Sequence, residues 1–352
     1  ETISEENYFF KLSKYSDKIT DLIKKDKLKI FPKKYKNDFL SLIKDGLTDV
    51  SFSRDKKHLP WGIPVPKDEN QVMYVWCDAL VNYLTGIGYP DKKYKKYWPL
   101  NIHVVGKDML RFHTGIWPGI LLSAEIELPK EVIVHGFLTA NGQKMSKSLG
   151  NVVSPLELRK KYESDTIRYF LLRTIPFGHD GDFDEKALVD RHNNELANKL
   201  GNLISRVSTL AERYGIEKTK PTLDIDNTLK QVENHLKNYE LHKVLETIFT
   251  YIDKTNEYIQ NQKPWEVRSP QREAPQQSEE ARSKSESNSR KVLYELCSAI
   301  KNIAILISPF IPDTAEKIAK TFNFKISLDE LDKPLNTKIK INKSEILFQK
   351  IQ

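Results

Sequence analysis

The chain has 352 residues, of which 39% are hydrophobic, and its 56 Lys and Arg against 48 Asp and Glu give a formal net charge of +8. This length allows two or three domains of ordinary size, and this composition excludes a wholly disordered chain. A mean hydropathy of −0.54, without any run of about 18 apolar residues, excludes a membrane-spanning protein.

The first 60 residues are rich in lysine and carry a helical pattern around residues 39–43. A proline-punctuated stretch follows at residues 59–66, where only extended or turn-like backbone is compatible with the prolines. Residue 1 is Glu, and nothing near it resembles a signal or transit peptide. We therefore expect the sequence to start inside a longer polypeptide.

From about residue 70, short apolar runs alternate with segments of helical period. The predicted strands and helices are, in chain order, strand Val72–Trp76, helix Ala79–Leu84, strand His103–Val105, helix Met109–Leu122 and strand Val132–Val134. This alternation predicts the α/β fold class with a parallel sheet. Ligands of such sheets bind beyond the carboxyl ends of the strands. Residues 106–108 and 135–136 fall at those ends.

After about residue 185 the strand signals stop. Apolar residues recur at helical spacing over Leu196–Leu210, Val244–Ile252 and Leu293–Leu306, which predicts a helix bundle. Between the second and third helices, the segment Arg268–Arg290 contains two prolines and no aliphatic or aromatic residue other than Ala. This composition predicts a disordered insert.

The most informative segment is Lys144-Met145-Ser146-Lys147-Ser148, a loop with two cations, two hydroxyls and no acidic residue. Ser154, Pro155 and Glu157 then have the pattern of a helix N-terminus with a capping box. Lysine charges in such a loop suit a triphosphate, because they neutralise oxygens whose negative charge grows as pyrophosphate leaves. Two lysines alone are more often an ordinary basic surface, and the full pentapeptide after a strand–His–Gly turn favours phosphate chemistry.

These segments resemble methionyl-tRNA synthetases of class I, whose second signature the pentapeptide matches. The same family is indicated by motifs distributed over residues 1 to about 312, which include Trp61–Pro66, Val75–Leu80, Val105–Asp108 and Val134–Gly136. The amino-acid sequence of residues 78–90 is most similar to that of the mitochondrial members. That similarity implies a location in the mitochondrial matrix, with the cytoplasm as the alternative location.

The resemblance implies a Rossmann-type catalytic domain followed by an all-α anticodon-binding domain. It places the end of a connective insertion and the return to the catalytic domain at 1–60. The catalytic domain follows at 61–184, the anticodon-binding domain at 185–326 with the insert 268–290, and a tail at 327–352. It also implies that methionine and ATP form methionyl-adenylate, with Mg2+ accompanying ATP. The methionyl group then passes to tRNA(Met).

The family's substrate residues carry over to this sequence position by position. The methionine-binding positions are Trp76, Ala79, Leu80, Tyr83, Met109 and His113. The positions near ATP and the adenylate are Arg54, Gly106, Asp108, His135, Gly136, Ser146 and Ser148, with Lys144 and Lys147 as the catalytic lysines. Without the motif, Trp76 and Tyr83 would read equally well as core residues, and His113 would more often be one. A thioether forms few hydrogen bonds, so methionine recognition should rest on aromatic and sulfur contacts.

The resemblance also implies an anticodon-binding set, consisting of Asn198, Asn202, Arg206, Pro264 and Trp265. The first three are spaced four apart and line one helix face. The proline ends the next helix, so that the indole can project. Splayed bases need an aromatic platform with amide and guanidinium hydrogen bonds. The alternative is that Trp265 is a core residue.

The sequence also departs from the family pattern. None of its eight histidines has another histidine three positions further on, so the first class I signature, His-x-Gly-His, is absent. The zinc-binding cysteines of some members are also missing. We therefore expect part of the ATP site to lie outside this chain and no zinc ligands within it. The alternative function is a non-catalytic tRNA-binding or assembly protein derived from a synthetase body.

Overall fold

A computed structural model describes residues 6–140, 142–146, 148, 150–266, 279–331 and 333–352. The chain divides into two compact units, Glu1–Phe137 and Leu138–Gln352, which we call unit 1 and unit 2. The strands of unit 1 are β1 Phe9–Phe10, β2 Lys29–Phe31, β3 Val50–Ser51, β4 Ser53–Asp55, β5 Pro64–Val65, β6 Asp68–Met73, β7 Ile102–Gly106 and β8 Glu131–His135. Its helices are α1 Ser16–Lys24, α2 Lys33–Leu42, α3 Val75–Thr85 and α4 Trp117–Ser123.

A parallel three-stranded sheet with the order β2-β8-β7 forms the centre of unit 1. Its middle strand, β8, is buried on both faces, as its continuous apolar run Val132–Val134 requires. Helices α1, α2, α3 and α4 contribute the apolar residues that pack with this sheet in one hydrophobic core. The predicted parallel α/β architecture is confirmed.

The predicted strand Val72–Trp76 is wrong in its C-terminal half and in its partner. Strand β6 ends at Met73 and pairs antiparallel with β4 and β5, outside the parallel sheet. The backbone N–H of Tyr74 donates to the carbonyl of Phe52 at 2.8 Å, and α3 begins one residue later. The apolar run crosses this boundary without a break, so periodicity alone could not separate the strand from the helix.

The predicted helix Met109–Leu122 is confirmed, but its turns are not uniform. A 3-10 turn over Lys107–Met109 is followed by a π-helical turn over Phe112–Ile116 and then by α4. A π turn is wider than an α turn and is often found at functional sites.

Unit 2 begins with a small sheet and continues as helices. Its strands are β9 Leu138–Ala140, β10 Gln143–Lys144 and β11 Gly181–Phe183. Its helices are α5 Pro155–Lys161, α6 Ser164–Thr174, α7 Glu185–Arg191, α8 Asn202–Tyr214, α9 Asp226–Lys237, α10 Leu241–Gln262, α11 Glu279–Ile307 and α12 Pro312–Phe322. A π-helical stretch, His192–Gly201, joins α7 to α8 without a break. Ser154 caps α5 as predicted, whereas Glu157 pairs with Lys160 at 2.7 Å and does not complete the capping box.

The predicted helix bundle is confirmed, and it contains helices that the sequence did not indicate. The core is formed mainly by α8, α10, α11 and α12. Helix α9 was missed because only Thr228 and Val232 of its twelve residues are buried, which leaves a weak apolar stripe.

The predicted disordered insert 268–290 is wrong for its second half. Residues 279–290 form the first turns of α11, and residues 267–278 lie outside the described residues. Glu, Ala, Lys and Arg in this segment are good helix formers. The helix also has a polar partner, because Ser287 donates to the carboxylate of Glu217 at 2.9 Å and Lys291 lies 3.4 Å from it. A polar surface helix attached to a bundle therefore had the composition of a disordered segment.

The tail after residue 327, which could not be assigned from sequence, packs on the bundle. Leu335, Ile341, Leu347 and Phe348 are buried in the core of unit 2. The side-chain amide of Asn193 donates to the carbonyl of Ile351 at 2.8 Å and accepts from its N–H at 2.9 Å. Within the described ranges, no helix is long and apolar enough to cross a membrane.

Candidate functional site

The first group of predicted site residues lies on α3 and on the wide turn before α4. Trp76 and Tyr83 are two helical turns apart on α3. The ring of Trp76 stacks on that of Phe112 with centroids 4.1 Å apart, and the Tyr83 hydroxyl lies 2.8 Å from Nε2 of His113. The structure thus brings the side chains of two of the six predicted methionine positions, Tyr83 and His113, into direct contact, and Trp76 packs against the residue next to His113.

The protonation state of His113 follows from its other ring nitrogen. Nδ1 lies 3.0 Å from the carbonyl oxygen of Met109, which can only accept a hydrogen bond, so Nδ1 carries the proton. Burial lowers the pKa of His113, so the ring is neutral and its Nε2 is an acceptor. The hydroxyl of Tyr83 therefore donates to His113. The oxygen of this hydroxyl can still accept a hydrogen bond from a ligand.

His103 belongs to the same group and was missed by the sequence analysis. The indole N–H of Trp117 donates to its Nε2 at 3.1 Å, and its ring meets that of Tyr83 edge-on with centroids 4.5 Å apart. Burial, with the neighbouring His113 as a smaller cause, lowers the pKa of His103 to about 4. The available signal was strand alternation, since His103 points to the same face of β7 as the buried Val105.

The remaining predicted methionine positions have no side-chain contact of this kind with Tyr83 or His113 among those described above. Leu80 is 1% exposed and is part of the hydrophobic core of unit 1. Ala79 is exposed on α3, and Met109 is half-buried and contributes the carbonyl that binds His113.

The ends of β7 and β8 bring the predicted adenylate residues together. Gly106 and His135 are register partners in the parallel ladder. A Cβ atom at Gly106 would lie 2.7 Å from Oδ1 of Asp108, so a larger residue there would displace this carboxylate from its position beside the strand end. Nδ1 of His135 lies 2.8 Å from the carbonyl oxygen of Gly136, and the ring is exposed. A carboxylate and an imidazole at one strand edge can bind sugar hydroxyls.

Arg54, on β4, is held by local contacts. Its guanidinium lies 4.2 Å from the centroid of the Tyr74 ring and donates to the hydroxyl of Ser51 at 2.8 Å and to the carbonyl of Ser53 at 2.6 Å. These bonds use part of its donor capacity and fix its orientation.

The second group of predicted residues lies in the loop of unit 2 that follows the β9–β10 hairpin. Asp182, on β11, accepts from the hydroxyl of Thr139 at 2.6 Å and from the N–H of Gly142 at 2.8 Å. These two hydrogen bonds hold the pKa of Asp182 below its ordinary value. The hairpin that leads into the loop is therefore bound at its turn.

Asn151 fixes the backbone of the loop from its other end. Its Oδ1 accepts from the N–H of Ser146 at 2.8 Å, and its Nδ2 donates to the carbonyl of Lys144 at 3.2 Å. The hydroxyls of Ser146 and Ser148 lie 2.7 Å apart. Lys147 lies outside the described residues. The role of Asn151 could not be predicted from the sequence, because no periodicity indicates a side chain that reaches back to the backbone five and seven residues earlier.

The third group lies on the helices of unit 2. Asn198, near the end of the π stretch, and Asn202, the first residue of α8, are both exposed. The guanidinium of Arg206 lies 5.9 Å from the centroid of the Trp265 ring. Pro264 is buried, and Trp265 is 36% exposed directly after α10 ends at a left-handed Lys263. An indole flanked by a guanidinium is a platform on which a base can stack.

No group of three or more His, Cys, Asp or Glu side chains that could hold a metal ion is found among the residues that the structure describes.

Two family models match the chain. One, described as tRNA synthetases class I (M), matches residues 1–208, and the other, described as anticodon-binding domain of tRNA ligase, matches residues 224–352. Similar curated proteins include the methionine–tRNA ligase of Brucella suis, 42% identical over 90% of this chain and 61% of that protein. The methionine–tRNA ligase of Caldanaerobacter subterraneus is 40% identical over 100% of this chain and 56% of that protein. The chain thus spans about six tenths of the length of these relatives.

Solved structures agree with the sequence matches. Methionyl-tRNA synthetase of Mycobacterium tuberculosis bound by methionyl-adenylate superposes with a TM-score of 0.88 and 35% identity, over 98% of this chain and 69% of that one. The apo form of the same protein gives a TM-score of 0.86 and 34% identity, over 99% and 69%.

The buried histidines make the stability of unit 1 depend on pH. The pKa of His103 is about 4 in the folded state and about 6.5 in an unfolded chain. Between these values the unfolded state binds a proton that the folded state does not, so stability is complete above about pH 6.5 and is lost as the pH falls toward 4. At about 1.4 kcal/mol per pH unit, the loss from His103 is about 3 kcal/mol.

We expect His103→Gln to lower stability at pH 7.5 but to reduce its decline between pH 7 and 5, because an amide accepts from Trp117 and does not titrate. The measurement is urea unfolding followed by tryptophan fluorescence, since Trp61, Trp76, Trp98 and Trp117 all lie in unit 1. Exposed His58→Gln is the control and should keep the original slope. Equal slopes in His103→Gln and the unchanged protein would contradict the assignment.

Proposed function

Because the chain belongs to the methionyl-tRNA synthetase family of class I, we propose that the protein containing these residues joins methionine to tRNA(Met) with ATP. The carboxylate of methionine attacks the α-phosphorus of ATP, and the bond to the β-phosphate breaks, which yields methionyl-adenylate and pyrophosphate. The terminal adenosine of the tRNA then takes the methionyl group and AMP leaves. The observation that carries this proposal is the hydrogen-bonded pair Tyr83–His113 in an aromatic setting in unit 1.

The chemistry of this setting supports methionine as the amino acid. Tyr83, His103 and His113 are neutral, and they stand with the rings of Trp76 and Phe112 on neighbouring elements. An uncharged aromatic surface favours a polarizable thioether over a charged side chain, which it could not solvate. The oxygen of the Tyr83 hydroxyl, which can still accept a hydrogen bond, adds a directional polar contact.

The adenylate part of the proposal rests on the strand ends and on the loop. Asp108 is held beside Gly106, where its carboxylate can accept from ribose hydroxyls, and His135 and Gly136 lie at the end of the adjacent strand. In unit 2, Lys144 and Lys147 would neutralise the pyrophosphate as its charge grows, with Ser146 and Ser148 as hydrogen-bond donors. Arg54 would provide a further cation for ATP.

Two parts of the proposed site are not provided by the residues named above. Mg2+ would accompany the phosphates of ATP, and no step is assigned to protein ligands for it. The His-x-Gly-His signature is not among the 352 residues, and we propose that its phosphate contacts come from outside them. The 352 residues alone should then give no methionine-dependent pyrophosphate exchange.

We also propose that the protein is located in the mitochondrial matrix, because the sequence of residues 78–90 is most similar to that of the mitochondrial members. The test is fractionation of the source cells with an antibody to this chain, where recovery in the cytosol alone would contradict the proposal.

The central experiment is methionine-dependent ATP–pyrophosphate exchange by the complete protein, which a non-catalytic tRNA-binding protein would not show. In the same assay, Asn151→Ala should lower kcat by roughly 10- to 100-fold and leave the KM for methionine unchanged, because it releases the loop backbone without touching the methionine site. Asn151→Asp keeps the acceptor for Ser146 and should recover part of the rate.

Exposed Asn227→Ala in α9 is the matched control and should behave as the unchanged protein. An unchanged kcat in Asn151→Ala would show that the loop does not depend on this side chain. Loss of methionine affinity together with kcat would show a wider structural defect.

The anticodon assignment has a separate test. Trp265→Ala in the complete protein should remove a stacked base and cost about 1–3 kcal/mol of tRNA interaction, seen as a raised KM for tRNA(Met). Pyrophosphate exchange, which does not use tRNA, should be unchanged. Trp61→Ala, at another exposed tryptophan, is the control and should leave both reactions unchanged. If Trp265→Ala lowered exchange, aminoacylation and the Tm together, Trp265 would be a structural residue.

A further inference from the structure

A cavity of about 500 Å³ lies in unit 2 between α11 and the segment that joins α8 to α9. We call it the α11 cavity and define its wall by Leu223, Ile225, Tyr251, Tyr294 and Ala299. None of these residues belongs to the methionine, adenylate or anticodon sets. Its volume falls within the range of roughly 300–1,000 Å³ that is typical of small-molecule sites.

The segment that forms the rim of the α11 cavity is bound to α11 at both of its ends. On one side, the N–H of Glu217 donates to the carbonyl of Arg290 at 3.1 Å. On the other, Glu295 accepts from the N–H groups of Thr222 and Leu223 at 2.5 and 2.6 Å. Residues 218–221 span the interval between these anchors. The cavity is therefore bounded by a fixed segment.

The wall contains one polar group without a partner. Tyr294 is 1% exposed, and its hydroxyl forms no hydrogen bond with any of the residues that the structure describes. A hydroxyl on a cavity wall can form its hydrogen bond with water or with a bound molecule. A molecule bound in the cavity could provide that bond.

The charges around the cavity favour one orientation of a bound molecule. The carboxylate of Glu295 lines the cavity and already accepts from Tyr258 and from the Thr222 hydroxyl, and its negative charge would repel an anion beside it. The exposed ammonium groups of Lys218 and Lys220 stand at the rim, and they form no ion pair within the described ranges. An anionic group is therefore favoured at the rim and an apolar body further in.

We propose that the α11 cavity is a binding site for a small amphiphilic anion, with its apolar body against Tyr251, Tyr294 and Ala299 and its charge beside Lys218 and Lys220. The site is independent of the aminoacylation chemistry. It offers the anticodon-binding half of the protein a way to bind a small molecule.

The test uses 8-anilinonaphthalene-1-sulfonate, an aromatic anion that fluoresces in apolar sites, with the 352-residue chain. We expect saturable binding with one site per chain, displaced by decanoate and not by decanol. Ala299→Phe, which fills the cavity, should weaken binding at least about 20-fold, and Tyr294→Phe about 3- to 10-fold through the lost hydrogen bond. Lys218→Ser with Lys220→Ser should weaken it about 5- to 10-fold at low salt, and less at high salt.

Lys230→Ser with Lys254→Ser is the matched control, since these exposed lysines of unit 2 also form no ion pair in the described part of the chain. It should bind as the unchanged chain does. Near-UV circular dichroism checks that each variant is folded, and the tyrosine and lysine variants carry the test if Ala299→Phe does not fold. The proposal is overturned if binding does not saturate, if a folded Ala299→Phe binds normally, or if decanol displaces the probe as well as decanoate does.

Discussion

The parallel pairing of β7 with β8 is the constraint on which the candidate substrate site of unit 1 depends. Because Gly106 and His135 are register partners, both strands end at the same level and deliver their following residues to one edge of the sheet. The chain leaves β7 through Asp108, whose carboxylate occupies the space that a side chain at Gly106 would fill. It then enters the wide turn that carries His113. A slip of one residue in this ladder would turn the predicted side chains away from one another.

The neutrality of the histidine pair is the second property of the site. Each imidazole is fixed in one tautomer by a group that can act in only one way, a carbonyl for His113 and an indole N–H for His103. A proton added to Nε2 of either ring would remove the acceptor that Tyr83 or Trp117 uses. Packing, hydrogen bonding and charge therefore favour the same neutral state of this group of side chains, and that state suits a ligand without charge on its side chain.

The elements with a periodic apolar pattern could be predicted from the sequence. The prediction failed where the structure depends on contacts between segments that are distant in sequence. Strands β7 and β8 and the helices α8 and α10 were clear because each buries a continuous or regularly spaced apolar face. Strand β6 was assigned to the wrong sheet because its partners, β4 and β5, are determined by pairing, and the first turns of α11 were missed because their support comes from Glu217. In the candidate site, motif positions predicted Tyr83 and His113, whose side chains lie in contact. Asn151, Asp182 and His103 act through tertiary hydrogen bonds, which neither period nor spacing indicates.

The attachment of the tail to the π stretch has a consequence for synthesis on the ribosome. Asn193 binds Ile351 and His192 binds Gln349, across 158 and 157 positions of sequence. Such distant contacts close slowly and late. Translation at roughly 5–20 residues per second leaves the apolar faces of α8 and α10 uncovered for many seconds before residues 335–351 emerge. During that interval the apolar faces of the nascent bundle stay in contact with water, whereas every described strand of unit 1 has already been synthesised.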